Sequence, residues 1–438
     1  MEVRDTLYGA IPVPGNLMKV VDHPFFQRLR GIRQTGFSEL PFPGATHTRY
    51  AHSLGAQHLV ARAFDVVFQD HTFSTPQVRE AYRECVRCAM LLHDIGHMPF
   101  SHCTEFAMQP LAALNIAAYD PERVAPRLQK RASHEDYTVG IITQSSLASV
   151  FDAFPFTAHH VASLVSREIS LTDDFFIDQG CDYRQLLSQL ISSELDCDRL
   201  DYLVRDSYYT GARYGQIDTD WLISNLRRYV DDDGNVSLAM NARALYAFDD
   251  FMIARYHMFV MVYFHHKSVV YEEMLKQYMS SEGCDYQLPV EMEAVLPVDD
   301  THLNAYLRTR HEPFARRLVE RRPYRRVLEL HGTPENVNVE RHILALHEAG
   351  IHTLSAGSTG RLSGYHGVGK KRKEAPPIYV IHEGRGRDPR VDLLEHATHI
   401  FQRYQEERRI SRIYVSPEHR EQAESILASI RASPAVAM

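Results

Sequence analysis

The densest chemistry in the chain lies in LLHDIGHMPFSH, residues 91–102, where three imidazoles and a carboxylate follow directly on an apolar run. Neutral imidazoles and carboxylates converging from rigid elements are what a divalent transition metal requires. Adjacent side chains at a helix end bracket one ion when that end faces it, so His93 and Asp94 form a candidate pair. A third donor is available in HTRYAHSLGA, where His52 stands just before a helix. A fourth is available in SSELDCDRLDYLVRDSYYTG. At about 100° per residue, Arg205, Asp198, Tyr202, Asp206 and Arg199 share one arc of about 120°, with Leu195, Leu200 and Leu203 turned elsewhere. That stripe reads either as a solvated face of Arg–Asp pairs or as one wall of a metal site. The two histidine segments favour the wall.

The elements that must position these groups are helical. Periodicity of that kind dominates residues 54–325: Leu59, Val60, Ala63, Phe64, Val67 and Phe68 make one apolar face, and Val78, Tyr82, Cys85, Ala89 and Leu92 make another. The second of these helices delivers His93 and Asp94 at its end. An Asp-Gly turn between alternating residues predicts a short β-hairpin over 227–240, and the pattern over 245–280 predicts helix again. After about residue 325 the texture changes. RRVLELHG, PPIYVIHEG and ISRIYVS read as strands, and NVERHILALHEAG and EHREQAESILASI as helices. The expectation is a mostly α protein, with a helical domain over 1–325 (metal core at about 45–210) and a small α/β domain over 326–438. Within the latter, Gly364 to Lys371 nearly matches a phosphate-binding loop. Lys371, however, stands where a hydroxyl should hold magnesium, no strand leads in and no helix follows. A solvated loop is the expected reading there, with phosphate contact as the alternative.

Bulk properties exclude several classes. A chain of 438 residues with 44% apolar content is ordinary for a globular protein. The formal charge of -8 gives no global footprint for nucleic acid, although a local positive groove remains open. No apolar stretch approaches the ~18 residues a bilayer demands, and MEVRDTLYGA has no apolar signal region. Six cysteines make no disulfide framework, which fits a reducing cytoplasm. Cys85 and Cys88 fall within a helical pattern with no second pair nearby, so packing is their expected role. The 25 histidines point toward metal or phosphate chemistry.

In order along the chain, DHPFFQRLRGIRQTG, FPGATHTRYAHSLG, LLHDIGHMPFSH, SHED and DCDRLDYLVRD resemble the motifs of the HD-domain metal-dependent phosphohydrolases. Within these they resemble the deoxynucleoside triphosphate triphosphohydrolase branch. The match spans roughly residues 3–210 and continues more weakly to about 280, with no sterile-alpha-motif domain expected ahead of it. The resemblance implies a helical HD core in which His52, His93, Asp94 and Asp198 hold one divalent transition metal: iron, manganese, cobalt or zinc. Additional magnesium would accompany the substrate phosphates. It implies that His134 is catalytic and oriented by Glu135, that His97 and His102 line the phosphates, and that Arg49 and Arg199 neutralise them. Arg199 stands where the mammalian relative has lysine. Gln34, Tyr202 and Asp206 match a sugar pocket in which a close-fitting tyrosine leaves no room for a 2′-hydroxyl. ARYHMFVMVYFHHK is similar to a helix bearing a phosphate arginine and a base-side tyrosine, which suggests Arg255 and Tyr263. Asp22, Gln27 and Arg30 match contacts to an activating guanine nucleotide, but the family's lysine-containing segment falls on Met1 and Glu2. Nucleotide-triggered assembly is therefore not expected.

The implied activity is hydrolysis of a dNTP to deoxynucleoside and triphosphate, by metal-activated water attacking the α-phosphorus, in a cytoplasmic homo-oligomer. Two alternatives stand beside it. One is hydrolysis of another phosphoester, such as a monophosphate, a nucleotide second messenger or a nucleic-acid end. The other is a non-catalytic nucleotide or single-strand binder. The Gly-Tyr-Pro motif of cyclic-dinucleotide hydrolases does not occur in the chain.

Overall fold

Two long helices, Arg49–Val67 and Pro76–Leu92, pack against each other and frame the site. The structure is a computed structural model that describes residues 1–333, 338–360, 376–383, 390–400 and 408–432. Thr75 starts the second helix by accepting from the Val78 N–H at 3.2 Å, and Pro76 occupies the first turn, where no N–H is needed. A third helix, Cys197–Thr210, packs on the first; Asp196 caps it through the Arg199 N–H at 2.8 Å, and Gly211 ends it at φ +74°. The helix His134–Gln144 opens on a reciprocal cap between Ser133 and Asp136. One continuous apolar core runs from Ile11 and Phe25 through these helices to Phe251 and Val295. The architecture is mostly α, as the periodicity implies.

Three features depart from the sequence reading in detail. The stretch 245–280 is not one helix: Leu245–Met258 passes into a π-helical turn at Phe259–Tyr263, and His265 caps a new helix, His266–Met279. The expected hairpin forms, Leu226–Val230 against Val236–Asn241, with Asp231 holding the turn through the Asp233 and Asn235 N–H groups. It is not isolated, however. Tyr379–His382 adds parallel to Val236–Asn241, and Arg390–Leu393 adds antiparallel beyond it, giving a four-stranded sheet. The strand read in PPIYVIHEG thus exists and lies between the hairpin and Arg390–Leu393. Gln189 explains the docking: its amide nitrogen donates to the Pro377 carbonyl at 2.9 Å while its oxygen accepts from the Leu238 N–H at 2.8 Å. Ile378 and Val380 join the main core.

The remaining C-terminal strands form an antiparallel sheet with Arg408–Val415 between Arg325–Gly332 and Thr353–Gly360. Helices Glu340–Glu348 and Arg420–Ala432 cover it around Leu328, Leu346, Ile413 and Leu427. Leu354, Ala356 and Tyr414 share an apolar cluster with helix His266–Met279, and the Tyr414 hydroxyl donates to the His266 carbonyl at 3.2 Å. This brings strand Thr353–Gly360 to the mouth of the main cavity. Gly364 to Lys371 lie outside the described residues. Among the described residues, no helix is long and apolar enough to cross a membrane.

Candidate functional site

His52, His93, Asp94 and Asp198 converge from three helices. His52 sits in the first turn of its helix, His93 and Asp94 follow the end of the second, and Asp198 lies in the first turn of Cys197–Thr210. His52 Nε2 lies 3.0 Å from Asp198 Oδ1 and 3.6 Å from Asp94 Oδ2. His93 Nε2 lies 3.4 Å from His52 Nε2 and 3.4 Å from both Asp94 Oδ1 and Asp198 Oδ1. An ion with bonds of about 2.1 Å sets neighbouring ligand atoms roughly 3.0–3.4 Å apart, so His52, His93 and Asp94 could hold one cation, with Asp198 Oδ1 against both imidazoles as a fourth candidate ligand. Their tautomers also fit. His93 Nδ1 faces the Met90 carbonyl at 2.7 Å, and His52 Nδ1 faces Asp201 Oδ2 at 2.8 Å. Each Nδ1 therefore carries the proton, and each Nε2 lone pair is free for the centre.

The electrostatics agree with the geometry. Burial works against the charged form of His52, yet the hydrogen bonds it donates to Asp198 and Asp201 push its pKa up to about 10. Burial opposes ionisation of Asp94, but Arg49, His93 and His97 outweigh it and hold the carboxyl well below its usual range. A field that draws a proton onto buried His52 also favours a cation among these carboxylates.

The close packing of the His93–Asp94 turn depends on Gly96. A Cβ there would sit 2.1 Å from the His134 carbonyl oxygen and 2.3 Å from the Thr138 nitrogen. Thr138 fastens the same contact, donating to the His93 carbonyl at 2.9 Å and accepting from the Gly96 N–H at 3.0 Å. This brings His134 beside the metal quartet. His97 and His134 stack with centroids 3.9 Å apart, and His102 packs edge-on at 4.7 Å from His97. Between them Phe100 and Ser101 adopt φ of 57° and 59°, a left-handed strain held by Asp300, which accepts from the Phe100 N–H at 2.6 Å. His97 is buried, and burial together with Arg49 and His134 holds its pKa well below the usual histidine value.

Pairing of His134 with Glu135 is not what the structure shows. The carboxylate on His134 Nδ1 is that of Glu105, which also takes His102 Nδ1 at 3.1 Å, while Glu135 is exposed. Two side chains of the imidazole cluster therefore share one acid. Against the burial that opposes its charge, they hold Glu105 well below the ordinary carboxylate range. Glu105 follows His102 by three residues, a helical spacing that could have exposed it. Asp201 follows Asp198 by three and fell just outside the polar arc. Asp300, remote in sequence, left no signal.

The quartet and the imidazole cluster open into one cavity of about 700 Å³, also lined by Gln34, Arg49, Arg199, Tyr202, Asp206, Arg255, Tyr263 and Glu272. Every candidate residue but His52, which is wholly buried behind His93, thus faces a common space. Arg49 is buried, with Nη1 on Asp94 and Nε on Ser101 Oγ at 2.8 Å. Arg199 and Arg255 share Glu194, at 3.3 and 3.4 Å. Asp206 accepts from the Tyr263 hydroxyl at 2.6 Å through one oxygen and meets His47 Nε2 at 2.6 Å through the other. Among the described residues, buried Gln34 Oε1 and His97 Nδ1 have no hydrogen-bond partner. Two of the three residues that match guanine-nucleotide contacts meet internal partners: Gln27 donates to the Val21 carbonyl at 2.6 Å and accepts from Arg30 at 2.8 Å, and Arg30 lies 3.6 Å over the Tyr50 ring.

Residues 49–204 match the HD domain and residues 217–351 the HD associated region. A crystal structure of a hypothetical protein from Aquifex aeolicus is similar with a TM-score of 0.72 and 25% identity, covering 98% of this chain and 99% of its own. The uncharacterized protein YwfO of Bacillus subtilis is 34% identical over 245 residues, 55% of this chain and 46% of the relative. The deoxynucleoside triphosphate triphosphohydrolase SAMHD1 homolog of Dictyostelium discoideum is 28% identical over 265 residues, 60% of this chain and 46% of the relative. The chain spans about half the length of the curated relatives it matches.

Proposed function

Because this chain belongs to the HD phosphohydrolase superfamily, we propose that it hydrolyses deoxynucleoside triphosphates to deoxynucleoside and triphosphate. The observation that carries this reading is the set of imidazole Nε2 atoms 3.0 to 3.6 Å from the Asp94 and Asp198 oxygens, beside a cavity that also holds three arginines and the Gln34–Tyr202–Asp206 group. Likeness to the Dictyostelium enzyme supports the substrate class.

His52, His93, Asp94 and Asp198 hold the cation. A divalent ion there supplies Lewis acidity and brings the pKa of a water from 15.7 toward ~7. The chain does the rest. Arg49, Arg199 and Arg255 offset phosphate charge from the cavity wall. Neutral His97 lines the same wall, its Nε2 3.3 Å from Asp94 Oδ1. His134 anchors Nδ1 on Glu105, which leaves Nε2 to hold the proton that the departing nucleoside 5′-oxygen needs. Half-buried Tyr202 narrows the sugar side.

The test is direct. Metal-loaded protein is incubated with each dNTP, rNTP and dNMP, and the products are separated by ion-exchange chromatography. Inorganic triphosphate and deoxynucleoside are expected from dNTPs; orthophosphate as the sole phosphate product would overturn the reading.

A further inference from the structure

The first twelve residues form a small half-exposed hairpin, Glu2–Asp5 against Gly9–Pro12, that no part of the chemistry above uses. Its turn nevertheless reaches the metal quartet from behind. Asp5 Oδ1 accepts from the Leu7 and Tyr8 N–H groups at 2.9 and 3.1 Å, which shapes the turn. Asp5 Oδ2 accepts from Arg205 Nη1 at 2.8 Å. Arg205, wholly buried, donates through Nε and Nη2 to the two oxygens of Asp201 at 2.8 and 2.9 Å. Asp201 Oδ2 in turn takes the Nδ1 proton of His52 at 2.8 Å. Gly55 makes room for this stack: a Cβ there would fall 2.1 Å from both Arg205 Nη2 and Asp201 Oδ1. The next residue of the turn, Thr6, bonds the Tyr209 hydroxyl at 3.0 Å, and Tyr209 stacks on His47, the partner of Asp206.

We propose that Asp5 is a positioning residue for the metal centre, acting through Arg205 and Asp201 to set the donor strength and orientation of His52. This rests on the metal reading of the quartet. Arg205 divides its charge between Asp5 and Asp201, so Asp201 keeps enough negative charge to polarise the His52 Nδ1–H bond and enrich the Nε2 lone pair. Without the Asp5 charge, Arg205 belongs to Asp201 alone, the carboxylate pulls less on His52, and Nε2 becomes a poorer ligand. Outer partners of metal-bound histidines are typically worth 10–100-fold in metal affinity. The hairpin is thus a remote determinant of whether the centre is loaded.

Asp5→Asn tests this with little change of shape, because the amide oxygen still accepts from the Leu7 and Tyr8 N–H groups while the charge is gone. Mn²⁺ is titrated into metal-stripped full-length protein and the free ion is followed by electron paramagnetic resonance. The expected result is an affinity about tenfold weaker than wild type, with Glu2→Gln on the same hairpin unchanged. Asp5→Ser, which also keeps a turn-forming acceptor, gives the same readout should the amide variant fail to fold. Equal Mn²⁺ affinity in wild type and variant, with or without a lower melting temperature, would reduce Asp5 to a structural role and overturn the proposal. Absence of Mn²⁺ binding by the wild type would instead remove the metal reading itself, and the proposal with it.

Discussion

Two clusters of histidine and carboxylate share one cavity, and they are built differently. In the metal quartet each imidazole commits Nδ1 to a fixed acceptor, so the Nε2 atoms and two carboxylates point at a common centre. In the second cluster His97, His102 and His134 stack ring against ring, and Glu105 serves two of them. His52 and His97 sharpen the contrast. Burial pushes both toward the neutral form; bonds to Asp198 and Asp201 reverse that at His52, whereas Arg49 and His134 reinforce it at His97. We propose that the convergent Nε2 atoms of the first cluster hold a cation and that the second cluster holds and shifts a proton, its four side chains also standing close enough together to hold an ion. The residue types alone do not distinguish the two; the partners do, since His52 and His93 place Nδ1 on separate acceptors whereas His102 and His134 share Glu105.

The contrast breaks hardest at Asp94. Asp94→Ala removes a ligand and also strips buried Arg49 of its counterion, so metal and turnover should be lost together. Metal analysis of the purified variant alongside dNTP turnover checks this, and a full metal complement with normal turnover would sink the quartet assignment. His134→Ala should separate the clusters: metal retained, kcat lower by about 10²–10⁴-fold, the usual range for general acid–base help. Near-wild-type kcat at saturating dNTP would remove His134 from the proton path.

Glu105→Gln is the milder form of the same cut, expected to cost about tenfold in kcat because the ring stays in place and only its anchor weakens. It also has a signature in stability. The folded-state pKa of Glu105 is depressed, so its stabilising contribution is present above the unfolded carboxylate value and lost as pH falls below it. Acidification from pH 7 to below about 4 should therefore destabilise wild type more than Glu105→Gln, by on the order of 1 kcal/mol given the partial exposure of the pair. Denaturant melts at the two pH values measure the difference; parallel loss in both proteins would contradict the Glu105–His134 anchor.

Residue spacing made the helical core and the candidate donors legible because both follow local rules: the apolar period of 3.6, and polar groups repeating on one helix face. His93 and Asp94 at a helix end and Asp198 in an opening turn follow from such rules. What the sequence hid was set by distance along the chain. Asp5 meets Arg205 across the whole helical domain, and Asp300 steadies Phe100 from a helix far downstream. Glu105 is hidden for another reason: Glu135 lies next to His134 in sequence and offers a nearer partner, which the helix start turns outward. The Tyr379–His382 strand is legible as a strand, but its parallel partner Val236–Asn241 is not, because a parallel pairing carries no local turn signal.

The smallest expected effects lie at the sugar wall, where the metal cluster meets the rest of the cavity. Tyr202 is one turn beyond Asp198, its ring centroid 6.4 Å from those of both His52 and Tyr263, so its bulk is fixed between a metal ligand and the cavity wall. Both Asp206 oxygens already meet internal partners, Tyr263 and His47, though each keeps acceptor capacity. Gln34 Oε1, without a partner among the described residues, is the better acceptor for a 3′-hydroxyl. Bulk at Tyr202 acts on the 2′ position and the amide of Gln34 on the 3′ position, so the two should fail independently. Tyr202→Ala should relax the preference for dNTP over rNTP in kcat/KM by less than about tenfold. Gln34→Leu should leave that ratio unchanged while erasing discrimination against dideoxynucleotides, since both natural sugars present the 3′-hydroxyl. Equal turnover of dGTP and GTP by the wild type would discard the sugar gate and leave both histidine clusters standing.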